Sequence, residues 1–155
     1  MSSPTSTKKK SGLALYTQAA EASSAVVIGN YSTSFGWATK LLGKADRHHV
    51  RNIYALVRVA DEIVDGAAAE ALTTAIGVDP HAMLDKFEQE TYRAVECGFS
   101  TNLVVHAFAY TAREVGINRD LIQPFFNSMR TDLFQRVHDK RSFEAYIYGL
   151  SLIHI

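Results

Sequence analysis

From Asp46 to Gly66 the chain reads DRHHVRNIYALVRVADEIVDG, with neither proline nor glycine before its end. Asp46 can cap a helix N-terminus and Gly66 can stop one, so roughly five turns run unbroken between them. On a wheel of about 100° per residue, Arg58 falls about 40° from Tyr54, and Asp61 and Asp65 about 20° to either side. One narrow stripe thus carries a phenol, a guanidinium and two carboxylates. Ile53, Leu56, Val57, Ala60, Ile63 and Val64 spread over both flanks, the pattern of a helix buried on most sides. Charges on such a helix need partners, because burying an unpaired carboxylate costs several kcal/mol or more.

Asp61 and Asp65 stand one turn apart and point the same way, which repels them by a few tenths of a kcal/mol unless a positive group intervenes. A hard divalent cation is one solution: Mg²⁺ takes one or two carboxylates plus substrate phosphates, and Arg58 and Tyr54 can then hold phosphate oxygens. An exposed acidic helix end with an ordinary i, i+3 pair between Arg58 and Asp61 is the other, and spacing alone leaves both open. Arg47 and Arg51 extend the stripe toward its start, about 20° and 60° from Tyr54, as phosphate contacts or as solvated helix-start arginines. His48 and His49 are about 100° apart, cannot both face one metal, and read as surface residues.

Three separated blocks, YSTSFGWATKLL (31–42), NIYALVRVADEIVDG (52–66) and SMRTDL (128–133), resemble the squalene/phytoene synthase family, the bacterial phytoene synthases above all. The resemblance implies an all-α isoprenoid-synthase fold. It also implies head-to-head joining of two prenyl diphosphates through a cyclopropyl diphosphate, with Mg²⁺ (Mn²⁺ as a substitute). Carried over residue by residue, it places Asp61 and Asp65 at the metal and Ser32, Ser34 and Arg58 at the diphosphate. Tyr54 and Phe35 would shape the reacting centre, and Asp132 and Tyr148 are further cavity candidates. Ser32 and Ser34 also fit a plain helix cap.

Fold boundaries come from punctuation. Residues 1–12, MSSPTSTKKKSG, read as a disordered basic tail, either solvated or in peripheral contact with anionic lipid. Helices are predicted near 14–29, 34–42, 46–65, 80–97, 101–115 and 125–138, with no sheet. The first is read as amphipathic, with Leu15, Ala19, Ala22 and Val26 along its apolar face. Asp79-Pro80 starts the fourth and Gly98 stops it, with Met83, Phe87, Glu90 or Thr91, Ala94 and Val95 as its buried stripe. Ser100 is the expected cap of the fifth, whose face reads Leu103, Val104, Ala107, Phe108 and Thr111. His106 there is expected to be packed or hydrogen-bonded rather than a ligand. Pro124 should either end a short turn or kink a helix begun at Asn118.

Sixteen basic and sixteen acidic side chains leave no net charge, hence no general attraction to nucleic acid. The lone Cys97 excludes an intramolecular disulfide and fits a reducing cytoplasm. The resemblance covers about residues 13–149, the N-terminal half of a family member, without the second aspartate-rich motif. Residues 150–155 read as a non-native end, so this chain is expected to be an inactive fragment. Within the family, the resemblance implies a phytoene synthase acting on geranylgeranyl diphosphate without NADPH. A squalene or dehydrosqualene synthase using farnesyl diphosphate, or an idle helical assembly protein of the same fold, are the alternatives.

Overall fold

The computed structural model describes residues 11–31, 44–65 and 79–135. They form five helices: α1 (Gly12–Tyr31), α2 (Lys44–Asp65), α3 (Pro80–Cys97), α4 (Leu103–Val115) and α5 (Arg119–Gln135). Among the described residues there is no strand, and the all-α reading holds. The helix expected at 34–42 lies outside them, as do the lysine run of the tail and residues 136–155.

The uninterrupted stretch is the centre of the molecule. Helix α2 packs against each of the other four helices, and Val50, Ile53, Tyr54, Ala55, Leu56, Val57, Ala60, Ile63 and Val64 are all buried. Burying one large aliphatic side chain contributes about 1.5–3 kcal/mol, so this row alone explains why the helix forms in place. Around it, Leu84 and Phe87 of α3, Val105 and Phe108 of α4, and Phe126 and Met129 of α5 complete one core.

The punctuation of α3 reads as expected. The Asp79 side chain accepts from the His81 amide at 3.0 Å, Pro80 takes the first helical position, and Gly98 closes the helix at φ 81°, a left-handed conformation suited to glycine. The buried stripe is broader than the pattern implied. Leu84, Glu88 and Tyr92 are inside, whereas Met83 is 41% exposed. Packing between α4 and α5 widens the covered arc, and Glu88 enters it because Arg130 of α5 meets its carboxylate.

Three other expectations are corrected. Ser100 does not cap α4; Asn102 does, accepting from the Val104 and Val105 amides, while Ser100 is buried with its hydroxyl donated to Glu90 at 2.7 Å. Leu103 is accordingly exposed in the first turn. Helix α5 starts at Arg119 rather than near 125 and runs through Pro124, so of the two readings the helix begun at Asn118 is the one observed, with Asn118 Oδ1 accepting from the Asp120 amide. A proline in a helix interior costs about 3 kcal/mol. Here Ile122, Phe125, Phe126 and Met129 are buried on both sides of it and Pro124 itself is exposed, so the burial outweighs the lost bond.

The face of α1 is reversed. Leu15 is 59% and Val26 63% exposed, with Ala19 and Ala22 beside them, while Ala20, Ser24 and Ile28 turn inward. Small residues at i, i+4 let α1 approach α2 and α4 closely. On this side Glu21 finds cross-helix partners: its Oε2 accepts from Asn52 Nδ2 at 3.0 Å and lies 2.6 Å from His48 Nδ1. Asn52 Nδ2 also donates to Thr111 of α4 at 2.9 Å, and His49 Nδ1 lies 2.8 Å from the same hydroxyl. His48 and His49 are therefore interhelical ties, stacked with ring centroids 3.9 Å apart, and not the plain surface residues expected.

Candidate active site

The polar stripe of α2 survives folding as a stripe. Tyr54 is 5% exposed and Asp61 4%, so the phenol and the first carboxylate are inside the protein. Arg58 lies between them, its guanidinium 2.9 Å from Asp61 Oδ2 and also bonded to Glu62. The i, i+3 pair foreseen on spacing is thus present, but Asp61 is buried and not exposed. Burial pulls the Arg58 guanidinium down, yet the hydrogen bond to Glu62 and the Asp61 charge outweigh it, and the net shift is upward. Arg58 stays charged across any working pH.

On the helical wheel Glu62 lies about 80° from Tyr54, off the stripe. Its reach to Arg58 across one turn is the i, i+4 geometry that every helix offers. The four-residue spacing of Arg58 and Glu62 is a signal visible in the sequence itself. Arg47 and Arg51 are half-buried toward the start of the same helix. Asp65 is the last residue of α2; its side chain lies outside the described residues. Ser32, Ser34, Phe35 and Tyr148 also fall outside them.

Asp132 is half-buried on α5, a helix that packs on both α2 and α3. The position of α5 is fixed by a network that sequence reasoning missed. Arg130 donates to Asp85 Oδ1 at 2.9 Å and bonds Glu88, and Glu88 in turn accepts from the Tyr92 hydroxyl. Arg119, at the start of α5, stacks 4.2 Å above the Tyr92 ring. Burial and the bond to Glu88 push the Tyr92 phenol well above its usual range, so it serves as a neutral donor.

The donor chemistry admits a hard cation. Asp61 offers carboxylate oxygen in a water-poor setting with a guanidinium at hand, and Mg²⁺ needs only one or two protein carboxylates when a substrate supplies phosphate oxygens. Among the described residues no group of three or more His, Cys, Asp or Glu side chains gathers into a cage of its own. No helix among them is long and apolar enough to cross a membrane.

A family model described as squalene/phytoene synthase matches residues 28–152, which takes in all of α2 to α5 and the last turn of α1. That match brings with it a squalene/phytoene synthase-like function and prenyltransferase-type activity in general. No curated protein and no solved structure gives a match.

Proposed function

The chain belongs to the squalene/phytoene synthase family, and from that premise we propose that it serves the head-to-head condensation of two geranylgeranyl diphosphates to phytoene, in carotenoid biosynthesis. The observation that carries the reading is the stripe of α2, where Tyr54, Arg58 and Asp61 share one largely interior face. Asp61 and Asp65 hold Mg²⁺ in this account, and Arg58 with Ser32 and Ser34 contacts the diphosphate. Bound there, the ion would offset the charge of the departing diphosphate.

The residues of the chain do the rest. Arg58 is held charged and aimed by Asp61 and Glu62, so its planar fork is ready for phosphate oxygens without being ordered at the moment of binding. Tyr54, buried beside it, closes the floor of the site against water, which strengthens every charge interaction above. Loss of a proton rather than gain of a hydride ends the route to phytoene, so NADPH has no part in it.

Product analysis tests the reading. An enzyme that joins residues 1–149 to a second aspartate-rich motif, given Mg²⁺ and equal farnesyl and geranylgeranyl diphosphate, is expected to make mainly phytoene. Dominant squalene or dehydrosqualene would transfer the function to a farnesyl-using synthase.

A further inference from the structure

Helix α1 is attached by two unlike ties. Near its start, the Tyr16 hydroxyl donates to the Ser100 carbonyl at 2.6 Å, and Thr17 Oγ1 lies 2.9 Å from His106 Nε2. One turn later Glu21 is held by His48 and Asn52 of α2. The first tie fixes a protonation state. The Ser100 amide donates to His106 Nδ1 at 3.2 Å, so that nitrogen is bare, and the ring carries its one proton on Nε2 toward Thr17. The ring is 2% exposed and meets Tyr16 edge-on, with centroids 4.6 Å apart, and Phe99 likewise at 5.5 Å.

We propose that the N-terminal half of α1, Gly12–Ala20, is a proton-released latch on α4, keyed by neutral His106 and hinged at Glu21. A second proton on His106 would have to sit on Nδ1, where it meets the Ser100 N–H head-on; two donors cannot share that contact. The imidazolium would also be charged in an aromatic and backbone surrounding. The titratable groups facing it are Tyr16 of α1, whose hydroxyl is spent on Ser100, and Glu90 of α3, whose carboxylate is taken up by the Ser100 hydroxyl and by Arg93. Along α4, Tyr110 lies one turn away. Among the described residues no carboxylate bonds the ring.

Burial accordingly holds His106 below its ordinary value. A histidine with a lowered folded value contributes stability that is present above about pH 6.5 and is lost as the pH falls through the folded value. The second tie does not pass through His106: Glu21 is met by Asn52 Nδ2 at 3.0 Å and by His48 Nδ1 at 2.6 Å. His49 stacks behind His48 and is held down by burial and by the His48 charge, against the raising effect of Glu21, Glu114 and Asp46. Acid therefore works on the start of α1 and leaves its middle anchored. An open groove of about 530 Å³ already runs between this half of α1 and Tyr110, lined by Thr17, Gln18 and Glu21, and release would also part the Tyr16 ring from Phe99, 4.9 Å away.

The experiment is amide hydrogen exchange on the whole 155-residue chain between pH 7.5 and 5, corrected for intrinsic rates. Protection of residues 12–20 is expected to fall about tenfold or more, while residues 21–31 and α3 keep theirs. His106→Gln, which donates to Thr17 but cannot charge, should abolish that dependence. Should His106→Gln not fold, Thr17→Val supplies the answer: residues 12–20 should already exchange faster at pH 7.5 and change less with acid. Constant protection in the wild type, an unchanged dependence in the folded variant, or residues 12–20 and 21–31 opening together would each overturn the proposal.

Discussion

Helix α2 turns two different polar faces to the molecule. Toward α1 and α4, Asn52, His48 and His49 meet Glu21 and Thr111, so the bonds cross from helix to helix. On the Tyr54 stripe, the ion pairs of Arg58 run along α2 itself, to Asp61 and Glu62. Bonds of the first kind exist only in the assembled fold and help to define it. Pairs of the second kind form within one helix, so their charges are ordered before any ligand arrives. The first face reads as architecture, the second as equipment.

Breaking each face in turn should separate these roles, and the largest effect belongs to the stripe. In an enzyme completed with a second aspartate-rich motif, Asp61→Asn should lower the rate on the order of 10²–10³-fold, the scale of one lost charge stabiliser. The fold should survive, since Arg58 keeps Glu62; circular dichroism and steady-state kinetics check both halves of the statement. The 155-residue chain alone, with its single DxxxD, should show no turnover at any Mg²⁺ concentration. Phytoene from that chain would show that Asp61 and Asp65 suffice.

Next in size is the opposite face. Asn52→Ala leaves the buried Thr111 hydroxyl and the Glu21 carboxylate each short of a donor, which should cost about 1–3 kcal/mol in urea unfolding. Magnesium-dependent binding of a prenyl diphosphate analogue should change little at temperatures where the variant is folded. A smaller effect is expected for Glu62→Gln. It loosens the aim of Arg58 without removing a ligand, so the rate should drop no more than about tenfold, chiefly through KM. A drop as large as that of Asp61→Asn would mean that Glu62 belongs to the metal shell. Smallest of all, Leu15→Glu should shift stability by no more than about 0.5 kcal/mol, because that side chain faces solvent. A loss of several kcal/mol would restore the reversed reading of α1.

The two faces also differ in how far they could be read from the residues alone. The stripe is a local pattern, and the wheel placed Tyr54, Arg58 and Asp61 together because helix geometry fixes their angles without any neighbour. The start and stop of α3 are local for the same reason, whereas α2 begins at Lys44, so Asp46 sits in its first turn instead of capping it. The α1 seam is not local. Nothing in LALYTQAAEASSAVVIG says that Glu21 will find Asn52, 31 residues on, so the larger apolar residues looked like the inner face. Pro124 left two readings open in a similar way: its penalty is visible in the chain, whereas the burial of Phe125 and Phe126 that offsets it depends on α2 and α3. Ser100 was read as a cap because its alternative partner, Glu90, lies on the preceding helix.

The corner between α3 and α4 carries one more consequence, for the order in which the chain comes together. Arg113 reaches back 17 and 18 residues to the carbonyls of Glu96 and Val95, and its guanidinium rests 3.4 Å from where a side chain on Gly98 would begin. These contacts close the shortest loop of any interhelical tie described above, and short loops lose the least entropy on closing. The helical hairpin 79–115 should therefore be the earliest piece to hold its shape, with α2 docking onto it and α1 arriving last. A bulkier residue at Gly98 would act at that first step: it strains a left-handed backbone and crowds Arg113, so refolding should slow more than unfolding quickens.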